Sequence, residues 1–129
     1  MDKATTLAGP LGRVLLCFIF LLAGYGKATA PQGTIEYIAS HGLPLPQIAY
    51  AVALAVELGC GLLVLVGYQA RLAALVLAGF CIVTGIVFHY QPGDQAQMIN
   101  FMKNLAMAGG FLQIVAHGAG ALSVDNRKA

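Results

Sequence analysis

The fold is decided between residues 47 and 89, where the sequence reads QIAYAVALAVELGCGLLVLVG, then the link YQAR, then LAALVLAGFCIVTGIVFH. Glu57 and Arg71 are the only Asp, Glu, Lys or Arg residues in this whole stretch. Runs of about 20 apolar residues are long enough to cross a bilayer as helices. The stretch therefore predicts two transmembrane helices, over about residues 47–67 and 70–89, joined by a tight turn.

Two further apolar runs flank this pair, over about residues 11–28 and 97–120. Of the 129 residues, 59% are hydrophobic and only 9% are charged, and the mean hydropathy is +0.80. A soluble domain carries about a quarter charged residues, so this chain cannot cover a water-facing surface. Because a spanning segment must satisfy its own backbone hydrogen bonds, we expect an all-α, integral membrane four-helix bundle. The four spans use most of the length, so residues 1–129 are expected to form one domain.

The connection between the first two spans is more polar and reads PQGTIEYIASHGLPLP over residues 31–46. Thr34 to Ser40 predict a short interfacial helix, which Gly42 and Pro44 would end. Small residues recur at every fourth position on two spans, as Ala51, Ala55 and Gly59, and as Ala70, Ala74 and Ala78. Such rows let helix backbones approach closely, which favours a compact bundle.

The basic residues predict an orientation. With four spans, both termini and the link between the second and third spans lie on one side of the membrane. Five of the seven Lys and Arg residues fall on that side: Lys3, Arg13, Arg71, Arg127 and Lys128. Since cytoplasmic loops carry the excess of Lys and Arg, we expect both termini in the cytoplasm of a bacterial inner membrane.

Ionisable residues inside the spans are the informative positions for function, because they are costly in a bilayer and usually face the bundle interior. Lys27 ends the first span, Glu57 lies near the middle of the second, His89 ends the third, and Lys103 lies about two turns into the fourth. Together with Asn104, these residues are predicted to converge in the outer half of the bundle as a ligand-binding or proton-relay site. On the fourth helix, the polar face that carries Lys103 and Asn104 points into the bundle and is expected to continue towards the cytoplasm through Gln113 and His117.

Each of these residues also has a structural explanation. Lys27 could extend its ammonium group to the membrane surface, and His89 could belong to an interfacial loop. Glu57 could form an ion pair with Lys103 or Lys27 that affects packing alone. The three cysteines, Cys17, Cys60 and Cys81, lie in apolar runs without C-x-x-C spacing, so we expect buried small hydrophobic side chains, with a redox role as the alternative.

The residue types at the predicted site indicate a class of ligand. A carboxylate, two amines and an imidazole can hold a molecule with carbonyl or anionic groups and exchange protons with it. A quinone headgroup requires this, namely donors to its carbonyl oxygens and a nearby proton relay. One histidine and one carboxylate without a thiolate pair do not favour a metal site. The formal net charge of +2 is too small and too dispersed to indicate a nucleic-acid partner.

An ordered set of short motifs covers nearly the whole chain: Arg13, Phe18 to Lys27, Tyr37 to Pro44, Glu57 to Gly61, Gly67, Arg71, His89, Met102 to Leu105, Gly118 to Gly120 and Ser123 to Asp125. This set resembles the DoxX family of small four-helix membrane proteins. The resemblance implies an inner-membrane protein associated with redox processes, because relatives occur with quinone-linked sulfur-oxidising enzymes and with oxidative-stress complexes. It also implies functional roles for Lys27, Glu57, His89, Lys103 and Asn104. The chain has no cysteine pair within the membrane, which argues against direct dithiol exchange.

Three functions remain open at this point. The first is a redox-associated membrane subunit of an oxidoreductase complex that binds a quinone or similar small molecule at the charged cluster. The second is a non-catalytic membrane anchor or assembly factor for a partner protein. The third is a small-solute or proton transporter. With four helices, the chain would have to form at least a dimer to resemble known transporters.

Overall fold

The computed structural model describes residues 3–127, which contain helices and no strand. The helices of this part of the chain are α1 Lys3–Thr29, α2 Pro31–Ser40, α3 Pro46–Val66, α4 Ala70–His89, α5 Gln95–His117 and α6 Val124–Arg127. The predicted all-α class is confirmed. Lys128, which contributed to the predicted orientation, lies outside the described residues.

Four long helices form the bundle. Three of the described helices, α1, α3 and α4, are long and apolar enough to cross a membrane, with 27, 21 and 20 residues. The fourth, α5, has 23 residues and is therefore about 35 Å long. It is more polar than the others and packs along α4. Going around the bundle, α5 lies beside α4, α4 beside α3, and α3 beside α1.

Two helices begin earlier than the sequence pattern indicated. α1 begins at Lys3, about two turns before the predicted span, and contains Pro10. Proline is tolerated within membrane helices where neighbouring groups satisfy the freed backbone atoms. α2, the predicted short helix, begins at Pro31 and not at Thr34. Proline is favoured in the first turn because its missing N–H has no helical partner there.

The core is built around α4, whose row Ala70, Ala74 and Ala78 is at most 1% exposed. The matching row on α3, which consists of Ala51, Ala55 and Gly59, is exposed, so it does not help to hold this bundle together. α3 turns the opposite side inwards, with Ala53, Glu57, Gly61 and Val64 buried. Burying the face that carries a carboxylate avoids exposing that charge to lipid, which would cost far more than exposing alanines.

One end of the bundle is closed by Arg13 and by the segment after α5. The link between α3 and α4 lies at this end, which we call the link end, and α2 lies at the opposite end, the α2 end. Arg13 is 3% exposed. Its guanidinium donates to the carbonyls of Val64 at 3.2 Å and Leu65 at 2.8 Å, and also to that of Leu122. The last carbonyls of a helix have no helical partners, so Arg13 satisfies the end of α3 from α1.

Candidate functional site

A cavity of about 510 Å³ lies in the half of the bundle nearer the α2 end. This volume falls within the roughly 300–1,000 Å³ that small-molecule sites occupy. All four long helices and α2 contribute to its wall, which is mostly apolar. Four of the five predicted site residues line it: Lys27, Glu57, His89 and Asn104.

The charged part of the wall is one ion pair between α1 and α3. Nζ of Lys27 lies 3.0 Å from Oε1 and 3.2 Å from Oε2 of Glu57, and it donates a hydrogen bond to Oε2. The Glu57 side chain is 6% exposed and that of Lys27 is 29% exposed. Oε1 is buried and makes no hydrogen bond with the described residues, although it is in ion-pair contact with the ammonium group. The pair therefore leaves one carboxylate oxygen with unused accepting capacity.

Two π-helical turns place Glu57 and His89 on the cavity wall. The first, Ala55–Cys60, interrupts α3 and contains Glu57. The second, Gly85–His89, ends α4 and contains His89. A π-helical turn accommodates an extra residue in a helix and is frequent at functional sites. The two π-helical turns thus set the angular positions at which Glu57 and His89 meet the cavity.

His89 is held by a side chain from the start of α5. Its Nδ1 lies 2.8 Å from Oε1 of Gln97. An amide oxygen only accepts hydrogen bonds, so in this assignment of the amide His89 donates through Nδ1. The hydrogen bond to Gln97 thus fixes the orientation of the imidazole at the α2 end of the cavity.

Asn104 joins α5 to α4. Its Nδ2 donates to the carbonyl of Cys81 at 3.0 Å and to Oγ1 of Thr84 at 3.2 Å. Both amide hydrogens are therefore engaged. Gly85 allows this close approach, because a Cβ at that position would lie 3.2 Å from Cβ of Asn104. In this arrangement Asn104 acts as a structural contact that also forms part of the wall.

Lys103 is not brought to the cavity. It is exposed, as are Gln113 and His117, whereas the buried residues of α5 are Ala108 and Phe111. The inward placement is therefore wrong for Lys103, Gln113 and His117, whereas the adjacent Asn104, about 100° away from Lys103 around the helix, does line the cavity. Asn104 and Lys103 are neighbours, and the hydrogen bonds of Asn104 to α4 select the face that points inwards.

An aromatic cluster at the α2 end was not predicted. The rings of Tyr37 and Phe88 stack with centroids 5.5 Å apart, and His41 lies 4.7 Å from each of them. Tyr37 and Phe88 also line the cavity. Tyr37 lies in α2 and His41 follows four residues later, at the end of this helix. This spacing was the only feature of the sequence that could have indicated the cluster. That α2 folds back to meet α4 could not be read from this spacing.

The cavity also reaches the apolar flank of the bundle. Three of its lining residues, Ile19, Val52 and Val83, are 50%, 53% and 60% exposed. They lie on α1, α3 and α4, which are the helices apolar enough to cross a membrane. In a bilayer this flank meets lipid chains. At these residues the cavity wall therefore borders the hydrocarbon region of the membrane.

The cysteines lie within the helices as free thiols. Cys17 and Cys81 are buried and Cys60 is half-buried. Cys17 and Cys81 belong to the core cluster, and Cys60 packs against it. Within residues 3–127, no group of three metal-ligating side chains comes together.

Comparison with known proteins identifies the family to which this chain belongs. The chain is similar to the inner membrane protein YqjF of Escherichia coli K12, with 36% identity over 97% of this chain and 95% of that protein. It is also 33% identical to the inner membrane protein YphA of the same organism, over 91% of this chain and 87% of the relative. A Bacillus subtilis protein named "Putative oxidoreductase CatD" is 36% identical over 60% of this chain and 57% of its own length. No solved structure matches. The DoxX family matches residues 10–90, and this membrane protein belongs to the DoxX family.

Proposed function

We propose that this protein is a redox-associated subunit of the bacterial inner membrane that binds a quinone or a similar lipophilic small molecule. The observation that carries the proposal is the apolar cavity whose wall includes the ion pair between Lys27 and the buried Glu57. Small-molecule sites combine an apolar wall with a few well-placed polar groups that orient the ligand. A ring with polar substituents and an apolar tail matches this combination.

Access from the membrane supports the same class of ligand. Ile19, Val52 and Val83 line the cavity and are at least half exposed on the apolar flank. A molecule dissolved among lipid chains can reach the cavity between these side chains without crossing water. Its polar end would contact Lys27 and Glu57, and its apolar part would lie against Phe80 and Val87 of α4.

The association with redox chemistry rests on the relatives. One of them is named as a putative oxidoreductase, and the chain resembles a family whose members accompany quinone-linked enzymes. An oxidoreductase subunit is therefore the partner we propose. With both termini in the cytoplasm, as the basic residues predict, the α2 end and its aromatic cluster would face the periplasm.

The test is to identify what copurifies with the protein. The protein is extracted in mild detergent, and its lipid extract is compared by mass spectrometry with those of Glu57→Gln and Glu36→Gln. Glu36 is an exposed carboxylate of α2 outside the cavity wall, so Glu36→Gln is the matched control. A quinone retained by the wild type and by Glu36→Gln, and depleted at least about tenfold in Glu57→Gln, supports the proposal. The same quinone content in all three, at the level of empty detergent, contradicts it.

A second candidate is a membrane anchor or assembly factor, and one observation favours it. Lys103, Gln113 and His117 form an exposed polar face on α5. Polar side chains that face lipid are costly, and such faces commonly pack against another membrane helix. Under this function, a Gln113→Leu variant would lose a copurifying membrane protein while Glu57→Gln would keep it.

A further inference from the structure

We infer that the cavity recognises its ligand through a hydroxyl group, so that it binds a quinol or other lipophilic alcohol or phenol in preference to the matching carbonyl or ether. This inference rests on the proposed function and narrows its ligand class. The observation behind it is the unused hydrogen-bonding capacity of Oε1 of Glu57, which is buried on the cavity wall without a hydrogen-bond partner among the described residues.

The neighbouring groups do not supply the missing donor. Lys27 donates its hydrogen bond to Oε2. Asn104 uses both amide hydrogens on Cys81 and Thr84. His89 directs its Nδ1 proton to Gln97. None of these three side chains therefore makes a hydrogen bond to Oε1, and a molecule in the cavity can provide one.

A hydroxyl group meets this requirement at both of its atoms. Its hydrogen can be donated to Oε1, while its oxygen can accept from the ammonium group of Lys27, which has three hydrogens and lies 3.0 Å from Oε1. A carbonyl or ether oxygen can only accept, so it would leave Oε1 with its ion-pair contact to Lys27 and without a hydrogen bond. Leaving a buried acceptor without a partner weakens binding, and sites built around a ligand hydroxyl discriminate strongly against analogues that lack it.

The experiment compares two matched pairs of ligands on the full-length protein in mild detergent. The first pair is a short-chain ubiquinone with one isoprene unit and its reduced quinol, measured without oxygen. The second pair does not depend on redox state: 4-heptylphenol and its methyl ether, 4-heptylanisole. Binding is measured by equilibrium dialysis against protein-free micelles, with Glu57→Gln as the test variant and Glu36→Gln as the matched control.

We expect the wild type and Glu36→Gln to bind the quinol and the phenol about tenfold or more tightly than the quinone and the anisole. In Glu57→Gln the amide can turn its NH₂ group towards the cavity, so the preference should disappear or reverse. Equal affinities within a pair in the wild type, or tighter binding of the quinone and anisole, would overturn the hydroxyl preference while leaving quinone-type binding intact. Binding of none of the four probes above the micelle background would overturn the proposed function as well.

Discussion

At the scale of single residues, Arg13 and Glu57 represent two different uses of buried charge. Arg13 donates hydrogen bonds to three backbone carbonyls from α3 and the C-terminal segment. Glu57 is paired with Lys27 yet keeps one oxygen free of hydrogen bonds. Each residue has one buried atom without a hydrogen-bond partner among the described residues, Nε of Arg13 and Oε1 of Glu57. Only Glu57 lines the cavity, so its free atom is available to a ligand, whereas Arg13 has a structural role.

Arg13→Leu tests the structural role. The loss of charge-assisted hydrogen bonds, each worth roughly 1.5–3 kcal/mol, should lower the free energy of unfolding by at least about 2 kcal/mol. Thermal unfolding can be followed in detergent with a thiol-reactive fluorescent dye, which reaches the buried Cys17 and Cys81 only as the protein unfolds. Arg71→Leu is the matched control, because Arg71 is exposed and should change the stability by no more than about 0.5 kcal/mol. Equal losses in the two variants would contradict the assignment.

Residue spacing predicted part of the site. Glu57 and Lys27 could be expected to meet because each lies on the one inward face of its helix, and both faces are buried in the structure. Lys103 could not be placed, since it and Asn104 are adjacent, both polar, and point about 100° apart. The choice between them depends on Thr84 and Gly85 of another helix, which no pattern within α5 reveals.

At the scale of elements, the start of α4 depends on a residue from the far end of the chain. Asp125 accepts hydrogen bonds from the backbone N–H groups of Gln69 at 2.7 Å and Ala70 at 2.9 Å. Its own N–H donates to the carbonyl of Gly67 at 2.8 Å. A carboxylate at a helix N-terminus satisfies free N–H groups and interacts favourably with the helix dipole. α6 is thereby joined to the link between α3 and α4.

Asp125→Ala should remove this cap at a cost of about 1 kcal/mol. Hydrogen exchange measured by mass spectrometry should then be faster at the amides of residues 69 and 70 and unchanged at those of residues 95–97. Asp94→Ala provides the reciprocal control, because Asp94 caps α5 through the N–H of Gln97 at 3.2 Å. It should accelerate exchange at residues 95–97 alone. Faster exchange at both helix starts in either variant would show general loosening and not the loss of a cap.

At the scale of the whole molecule, the bundle has two dissimilar ends. The link end is closed by Arg13 and Asp125 through hydrogen bonds to backbone groups. The α2 end carries the aromatic rings and the cavity. The predicted orientation assigns the link end to the cytoplasm, because the described Lys3, Arg13 and Arg71 all belong to it.

This orientation predicts which loops a membrane-impermeant reagent can reach. In a protein with Cys17, Cys60 and Cys81 replaced by alanine, Gly93→Cys should react with an impermeant maleimide in intact spheroplasts. Arg71→Cys should react only after lysis. Gly93 lies in the turn before α5 with open space around it, and Arg71 is exposed at the start of α4, so both sites are sterically accessible. Labelling of Arg71→Cys before lysis, with Gly93→Cys protected, would mean the opposite orientation.

Under the proposed function, the exposed flank formed by Ile19, Val52 and Val83 determines which ligand concentration controls the occupancy of the cavity. A ligand that arrives between these side chains is exchanged with the membrane, so its mole fraction among the lipids sets the occupancy, and its concentration in water matters only through partitioning. Lipophilic molecules accumulate strongly in bilayers. A site with modest intrinsic affinity can therefore be largely filled in the cell.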